Sequence, residues 1–209
     1  MGIFPLSILL IRKKAFVWNN PIVPFIWLTG LASVYEFIGS YLLKINTSYW
    51  FQIYALLSFL ALYHFFSRML KPHFKTIISW FLILFLIVYA TSFFFWDDAD
   101  MLISSAINRT YITIFVIIFT VIWFKNLFDR LQNYTLFDKK EIPNLWERGY
   151  FYFISGLFIY YSTTLFLFLS SNFILSNNAY FFDYWIVNVI AAIILRALLI
   201  ISVWKMKTG

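Results

Sequence analysis

The sequence predicts an all-α fold, a polytopic transmembrane bundle of seven helices, and three observations lead there. Of its 209 residues, 63% are hydrophobic and only 12% charged, with mean hydropathy +0.82, whereas soluble domains carry roughly a quarter charged residues. Six apolar runs are long enough, at about 1.5 Å per residue, to cross a hydrocarbon layer of about 30 Å. The polar stretches between them are short, and their cations alternate between rich and poor.

The first element, residues 2–11, is too short to span alone and is followed at once by Arg12, Lys13 and Lys14. It reads as the inner half of a helix, an interfacial segment or an uncleaved signal-like start, the last disfavoured by the lack of a small-residue cleavage site. The six long runs follow at 22–43, 49–69, 76–95, 109–127, 150–171 and 182–204. Pro21, Pro24, Pro72 and Pro143 fall at or near their ends, where a missing backbone donor does least harm. Trp18, Trp50, Trp96, Trp146, Trp185 and Trp204 also fall near span ends, the depth that amphipathic rings prefer. The longest polar stretch, 125–149, carries apolar residues of its own and reads as an interfacial helix. The whole chain, 1–209, is therefore expected to be one bundle domain.

Orientation follows from the cations, because Lys and Arg accumulate in short cytoplasmic loops. Arg12, Lys13 and Lys14; Arg68, Lys71 and Lys75; Lys125, Arg130, Lys139, Lys140 and Arg148; and Lys205 and Lys207 form four basic groups. The loops between hold Lys44, then Asp97, Asp98 and Asp100 ahead of Arg109, then the Asn-rich stretch from Asn172 to Asn178 ahead of Asp183. The C-terminus is expected inside, and with a first spanning helix the N-terminus lies outside. Heavy use of Phe, Tyr, Ile, Asn and Lys suggests an AT-rich genome, hence a bacterial cytoplasmic (inner) membrane.

Composition and motif content exclude much chemistry. Without cysteine there is no disulfide, thiolate metal site, iron–sulfur ligation or thiol catalysis. The net charge of +7 sits between apolar runs, where it sets membrane orientation and does not argue for nucleic acid. Only two histidines exist and HExxH is absent, so a zinc hydrolase lacks ligands and bis-histidine haem ligation is implausible. No Walker loop, dinucleotide fingerprint or GxSxG appears. The last span has Arg196 and no Schiff-base lysine, which argues against retinal. The expectation is a protein with no enzymatic activity, cofactor or bound metal.

Ionisable groups inside a bilayer are costly and are the default functional candidates. Glu36, in LASVYEFIGSY, is a candidate ligand contact, proton site or helix anchor, with Arg109 its candidate ion-pair partner. Arg196, in IAAIILRALLIISVW, cannot shed its charge, so it must pair, bond to carbonyls or snorkel toward the inner surface. His64 lies at a comparable depth, and Tyr54 and Asn188 are the groups that could complete a polar cluster. Gly30, Ala32 and Ser33, and later Ser155 and Gly156, allow close helix approach, but no strict GxxxG marks a dimer face.

Three local patterns extend this reading: Glu36 after an apolar run with Asn46 and IYALL from Ile53 following; Trp146 ahead of ISGLFIYYSTTLFLF from Ile154; and a last span ending in Trp204 and Lys205. In these the chain resembles a group of small bacterial seven-helix membrane proteins whose genes often accompany sensor histidine kinases. The resemblance implies a spanning N-terminal helix and a sensory or accessory role beside a membrane or cytoplasmic protein partner such as a sensor kinase. The chain departs from that group at Ser58, where a second glutamate is common, and at Ala192 and Arg196, where an asparagine pair is common.

Three functions are weighed. A signalling or accessory bundle would bind a ligand or lipid near Glu36 and shift a helix against a separate partner. Its basic inner face suits anionic lipid or partner contact. A small transporter or channel would line a path with Glu36, His64 and Arg196, but internal repeats and broken helices are not found. A structural subunit would be wholly apolar inside, which Glu36 and Arg196 oppose.

Overall fold

The computed structural model describes residues 2–12, 19–44, 48–95, 101–137, 149–169 and 181–206. Trp18, Asn46, Trp96, Trp146, the cations Lys13, Lys14, Lys139, Lys140, Arg148 and Lys207, the acidic run Asp97 to Asp100 and the Asn172 to Asn178 stretch lie outside the described residues.

Among the described residues every regular element is helical. Seven α-helices follow one another: α1 Ile3–Ile11, α2 Val23–Glu36, α3 Ser48–Met69, α4 Lys75–Ser92, α5 Met101–Phe137, α6 Tyr150–Leu169 and α7 Phe181–Lys205. Helix α2 continues without a break into a π-helical segment, Phe37–Leu42, in which the Leu43 amide donates to the Ile38 carbonyl at 2.9 Å. Five helices, α3 to α7, are long and apolar enough to cross a membrane, and the apolar stretch Val23–Gly39 is shorter. The chain is an integral membrane protein by this measure.

One expected element is replaced. Residues 125–137, read as part of a separate interfacial helix, are the last turns of α5. From Lys125 to Phe137 the sequence has neither Gly nor Pro, so nothing ends the helix before Phe137. At 37 residues, α5 rises about 55 Å and overruns the hydrocarbon layer.

The helix ends gather into two layers. The Arg12 guanidinium donates to the Trp204 carbonyl and lies over the Trp204 ring, 4.5 Å from its centroid, tying the end of α1 to the end of α7. Arg68 at the end of α3 donates to the Asn19 carbonyl just before α2, at 3.2 Å. Lys71 and Arg130 line one small niche between α3 and α5. These groups define a basic end; Lys44 and Arg109 lie toward the opposite, far end. Gly149 starts α6 at the basic end with φ +78, and a Cβ there would meet the Ser202 carbonyl oxygen of α7 at 2.3 Å. Only glycine serves both the backbone conformation and that approach.

Packing closes a ring. Helix α1 packs on α2 and α7, α2 on α3, α3 on α5, α5 on α6, and α6 most extensively on α7. Helix α4 stands outside this ring, against α3 and α5. The nine residues of α1 rise about 14 Å, roughly half the hydrocarbon thickness. It lies close on α2 because Gly30 leaves room for Leu6: a Cβ at Gly30 would fall 2.5 Å from Leu6 Cδ2. Gly156 similarly admits Leu195 and Leu198 of α7.

The α3–α4–α5 seam is aromatic. Phe59 stacks on Phe85 at 3.8 Å between centroids and meets Phe115 at 4.9 Å. Phe66, Phe81 and Phe119 extend the same cluster, and the Tyr111 hydroxyl donates to the Phe81 carbonyl at 2.8 Å. Toward the far end this seam carries a buried polar clamp that the sequence reading missed. The Asn108 amide donates to Gln52 Oε1 and to Ser92 Oγ, each at 3.0 Å, joining α5 to α3 and α4. Ser92 donates onward to the Tyr89 carbonyl, and the Tyr89 hydroxyl returns to the Gln52 carbonyl.

Candidate functional site

Inside the ring lies a cavity of about 480 Å³, lined by residues of all six ring helices and none of α4. Its lining is written in the sequence as helical stripes. From α2 it takes Phe25, Thr29, Ala32, Ser33 and Glu36; from α7, Asn188, Ala192, Leu195, Arg196 and Leu199. Both sets follow i, i+4, i+7, i+8, i+11, the spacing of one helix face. Because the two helices run in opposite directions, the stripes pair head to tail. Phe25 and Leu199 lie toward the basic end, Glu36 and Asn188 toward the far end.

The direction of side chains on a helix explains which charges meet. Each Cα–Cβ bond leans toward its helix N-terminus. Glu36 on α2 therefore leans toward the basic end, and Arg196 on antiparallel α7 leans toward the far end, so the two converge. Arg109, whose helix α5 starts at the far end, leans away from both. The electrostatics agree: Arg196 acts on the Glu36 carboxyl more strongly than Arg109 does. The Arg109 guanidinium sits 5.6 Å from the Phe51 ring centroid, and the residue is exposed. Arg196 is thus held in the cavity wall and does not simply extend along lipid to the inner surface.

Of the candidate residues, Glu36, Tyr54, Arg109, Asn188 and Arg196 all line the cavity. Tyr54 lies within electrostatic reach of Tyr160, Glu36, Arg196 and Arg109, which places its hydroxyl in the midst of the polar groups. His64 is not part of the lining. Six residues on from Ser58, it is rotated by roughly 120° from the cavity face at 100° per residue, and the charge that acts on it is Arg68.

Sequence reasoning missed the contribution of α6, which supplies Tyr160, Tyr161 and Thr164. The signal available was the local run of hydroxyls in IYYSTT, but nothing in it says which ones face inward. Ser58, Ala192 and Arg196, the positions where the chain departs from the group it resembles, all line the cavity.

The polar groups fall into two kinds. Thr29, Ser33, Ser58, Thr113 and Thr164 each donate to a carbonyl of their own helix at 2.8–3.0 Å, so their hydroxyl protons are committed. Among the described residues, the side chains of Glu36, Tyr54, Tyr160, Tyr161 and Arg196 make no hydrogen bond. Asn188 Oδ1 is buried without a partner. Toward the basic end the cavity is closed by Phe25, behind which lies an aromatic floor: Phe25 meets Phe153 at 5.5 Å, and Phe153 meets Phe65 at 4.7 Å, all three being buried. Among the described residues no cluster of metal-ligating side chains occurs.

Fold and site together define a helical membrane bundle built around an amphipathic central cavity. No known family, curated protein or solved structure matches the chain.

Proposed function

We propose that this chain is a non-enzymatic signalling or accessory protein of a bacterial inner membrane, a seven-helix bundle with its C-terminus inside, which binds a ligand in the ring cavity and works through a separate protein partner. The observation that carries the reading is the position of the cavity: an occupant touches all six ring helices at once. It can therefore shift their mutual packing, and with it the basic end where α1, α3 and α7 terminate. A ligand moves an equilibrium only through unequal contact with two arrangements, and a wall contributed by six helices supplies that inequality. The positive-inside rule places the basic end in the cytoplasm, next to the partner and anionic lipid. A transport reading would need passage through the Phe25–Phe153–Phe65 floor, and this disfavours it.

The test is a distance measurement on protein in nanodiscs, with spin labels at Asn20 and Lys205 on the basic end. A saturating single-chain amphiphile is expected to change the α2–α7 label distance, and the cavity-filling variant Ala192→Trp to abolish the change. An amphiphile that binds without moving the labels would remove the signalling reading. Uptake of a probe into sealed proteoliposomes would favour transport instead.

A further inference from the structure

The cavity's charge and hydrogen-bonding inventory points beyond "a ligand" to a chemical class. Its lining contains two guanidinium groups, Arg109 and Arg196, and one carboxyl, Glu36. Arginine keeps its charge in any protein environment. With Glu36 ionised the lining carries a net charge of +1, and with Glu36 protonated it carries more. Arg196 faces Glu36 and Arg109 is exposed, so the surplus positive charge sits toward the far end of the cavity and favours an anionic head there. The uncommitted donors point the same way: the hydroxyls of Tyr54, Tyr160 and Tyr161 and the Arg196 guanidinium have no hydrogen-bond partner among the described residues. The small hydroxyls have already given their protons to backbone carbonyls.

Apolar residues line both ends, Phe51 and Leu167 the far end and Phe25 and Leu199 the basic end, but charge does not. From the Glu36 and Arg196 side chains toward the basic end the wall holds no further charged group and is formed by Leu199, Phe25 and Pro5 with Thr29, whose proton is committed to its own helix. A charged head and an apolar tail would therefore be satisfied at opposite ends of one cavity. Its volume of about 480 Å³ falls in the range of about 300–1,000 Å³ typical of sites that hold one small ligand.

We infer that the cavity binds a single-chain amphiphilic anion, with its carboxylate or phosphate head between Arg196 and Arg109 beside the Tyr54 and Tyr161 hydroxyls, and its chain over Leu199 and Phe25. This rests on the cavity being a ligand site, as proposed above. Glu36 then has a defined part: it orients Arg196 and disfavours a head with more than modest negative charge.

The experiment uses the full chain in nanodiscs with six probes: dodecanoate, dodecyl phosphate, dodecanol, dodecylammonium, acetate and inorganic phosphate. Native mass spectrometry counts the bound probe and a thermal shift ranks affinity, with Ala192→Trp measuring uptake by the bilayer itself. Dodecanoate or dodecyl phosphate should bind about tenfold or more tightly than dodecanol, the difference made by one charge-assisted hydrogen bond. Dodecylammonium should bind least, and acetate and inorganic phosphate should give no shift. Arg196→Gln should erase the preference for the anion, Arg196→Lys should keep part of it, and Arg109→Gln should lower it several-fold.

Equal binding of dodecanol, or preference for dodecylammonium, would overturn the anion assignment while leaving the cavity as a ligand site. Tight binding of free phosphate or acetate alone would replace the amphiphile by a small water-soluble anion, also overturning it. If no chain-bearing probe binds the wild type better than it binds Ala192→Trp, the ligand-site reading falls as well. Should Arg196→Gln not fold, the ranking on wild type and the Arg109→Gln result decide the question.

Discussion

Helix α5 divides two regions that handle polar groups in opposite ways, and two consecutive residues mark the boundary. Asn108 faces α3 and α4, where it donates to both Gln52 and Ser92 in a fully buried clamp. Arg109 faces the ring, where it lines the cavity above Phe51. On the seam side, aromatic rings fill the space and the Asn108 amide, Ser92, Tyr89 and Tyr111 donors find protein acceptors, while Asn108 Oδ1 and Ser104 Oγ are buried without a partner. On the ring side, the strongest donors are left uncommitted around open volume. In lipid, apolar side chains gain little by leaving the solvent, so helices associate through packing and hydrogen bonds. The seam has both; the ring, although α6 packs extensively on α7, encloses open volume, which marks it as the region shaped for an occupant.

The largest effect that would sharpen this contrast is expected in the seam. Phe59 is fully buried and contacts Phe85, Tyr111 and Phe115. In a water-soluble core a Phe→Ala change costs about 3–5 kcal/mol. Here part of the transfer term vanishes because lipid is itself apolar, so Phe59→Ala should cost about 2–3 kcal/mol, mostly lost packing. Reversible unfolding in bicelles measures it; a cost near zero would show that the seam is not the better-packed half.

The clamp comes next. Asn108→Ala removes both donated bonds, the one to Gln52 Oε1 and the one to Ser92 Oγ. The expected cost is about 1–2 kcal/mol, the upper part of the range for interhelical bonds in membranes. A double-mutant cycle with Ser92→Ala should show coupling of about 0.6 kcal/mol. Additive losses would mean that Asn108 and Ser92 do not share a bond.

How legible these two regions were in the sequence differs, for a physical reason. Spans are set by length and hydropathy, which are local properties, so the long helices and their approximate ends could be read directly. Residues 125–137 read as a separate element because they contain charges, but charge does not end a helix; the absence of any breaker is the better guide to the end of α5. Glu36, Arg196 and Arg109 were legible because a charge in an apolar run is conspicuous. Asn108, Gln52, Tyr160 and Tyr161 were not, since uncharged polar residues are tolerated on any face and only the rotational setting of each helix decides where they point. His64 shows the converse, a conspicuous residue turned off the cavity stripe.

A smaller effect is expected in the ring. Ala192 lines the cavity between Asn188 and Arg196. Enlarging a small residue in a filled core typically costs 1–3 kcal/mol. Where the added methylenes enter open volume that penalty falls, and Ala192→Leu should change stability by less than about 1 kcal/mol. It should nonetheless weaken binding of any chain-bearing ligand. A loss of stability as large as that of Phe59→Ala would mean that the space is not available, and the contrast between the two regions would collapse.

The smallest effect isolates a single hydroxyl on each side. Tyr111 donates across the seam to the Phe81 carbonyl at 2.8 Å, so Tyr111→Phe removes a made bond and should cost about 1 kcal/mol. Tyr161 lines the cavity and its hydroxyl has no partner among the described residues, so Tyr161→Phe should leave stability unchanged within about 0.5 kcal/mol. The chemical change is identical, so the difference reports only whether the protein itself uses the proton. If the cavity receives an acceptor-bearing ligand, the order reverses when binding is measured: Tyr161→Phe weakens it and Tyr111→Phe does not. Equal behaviour in both assays would show that the Tyr161 hydroxyl is not reserved for an occupant.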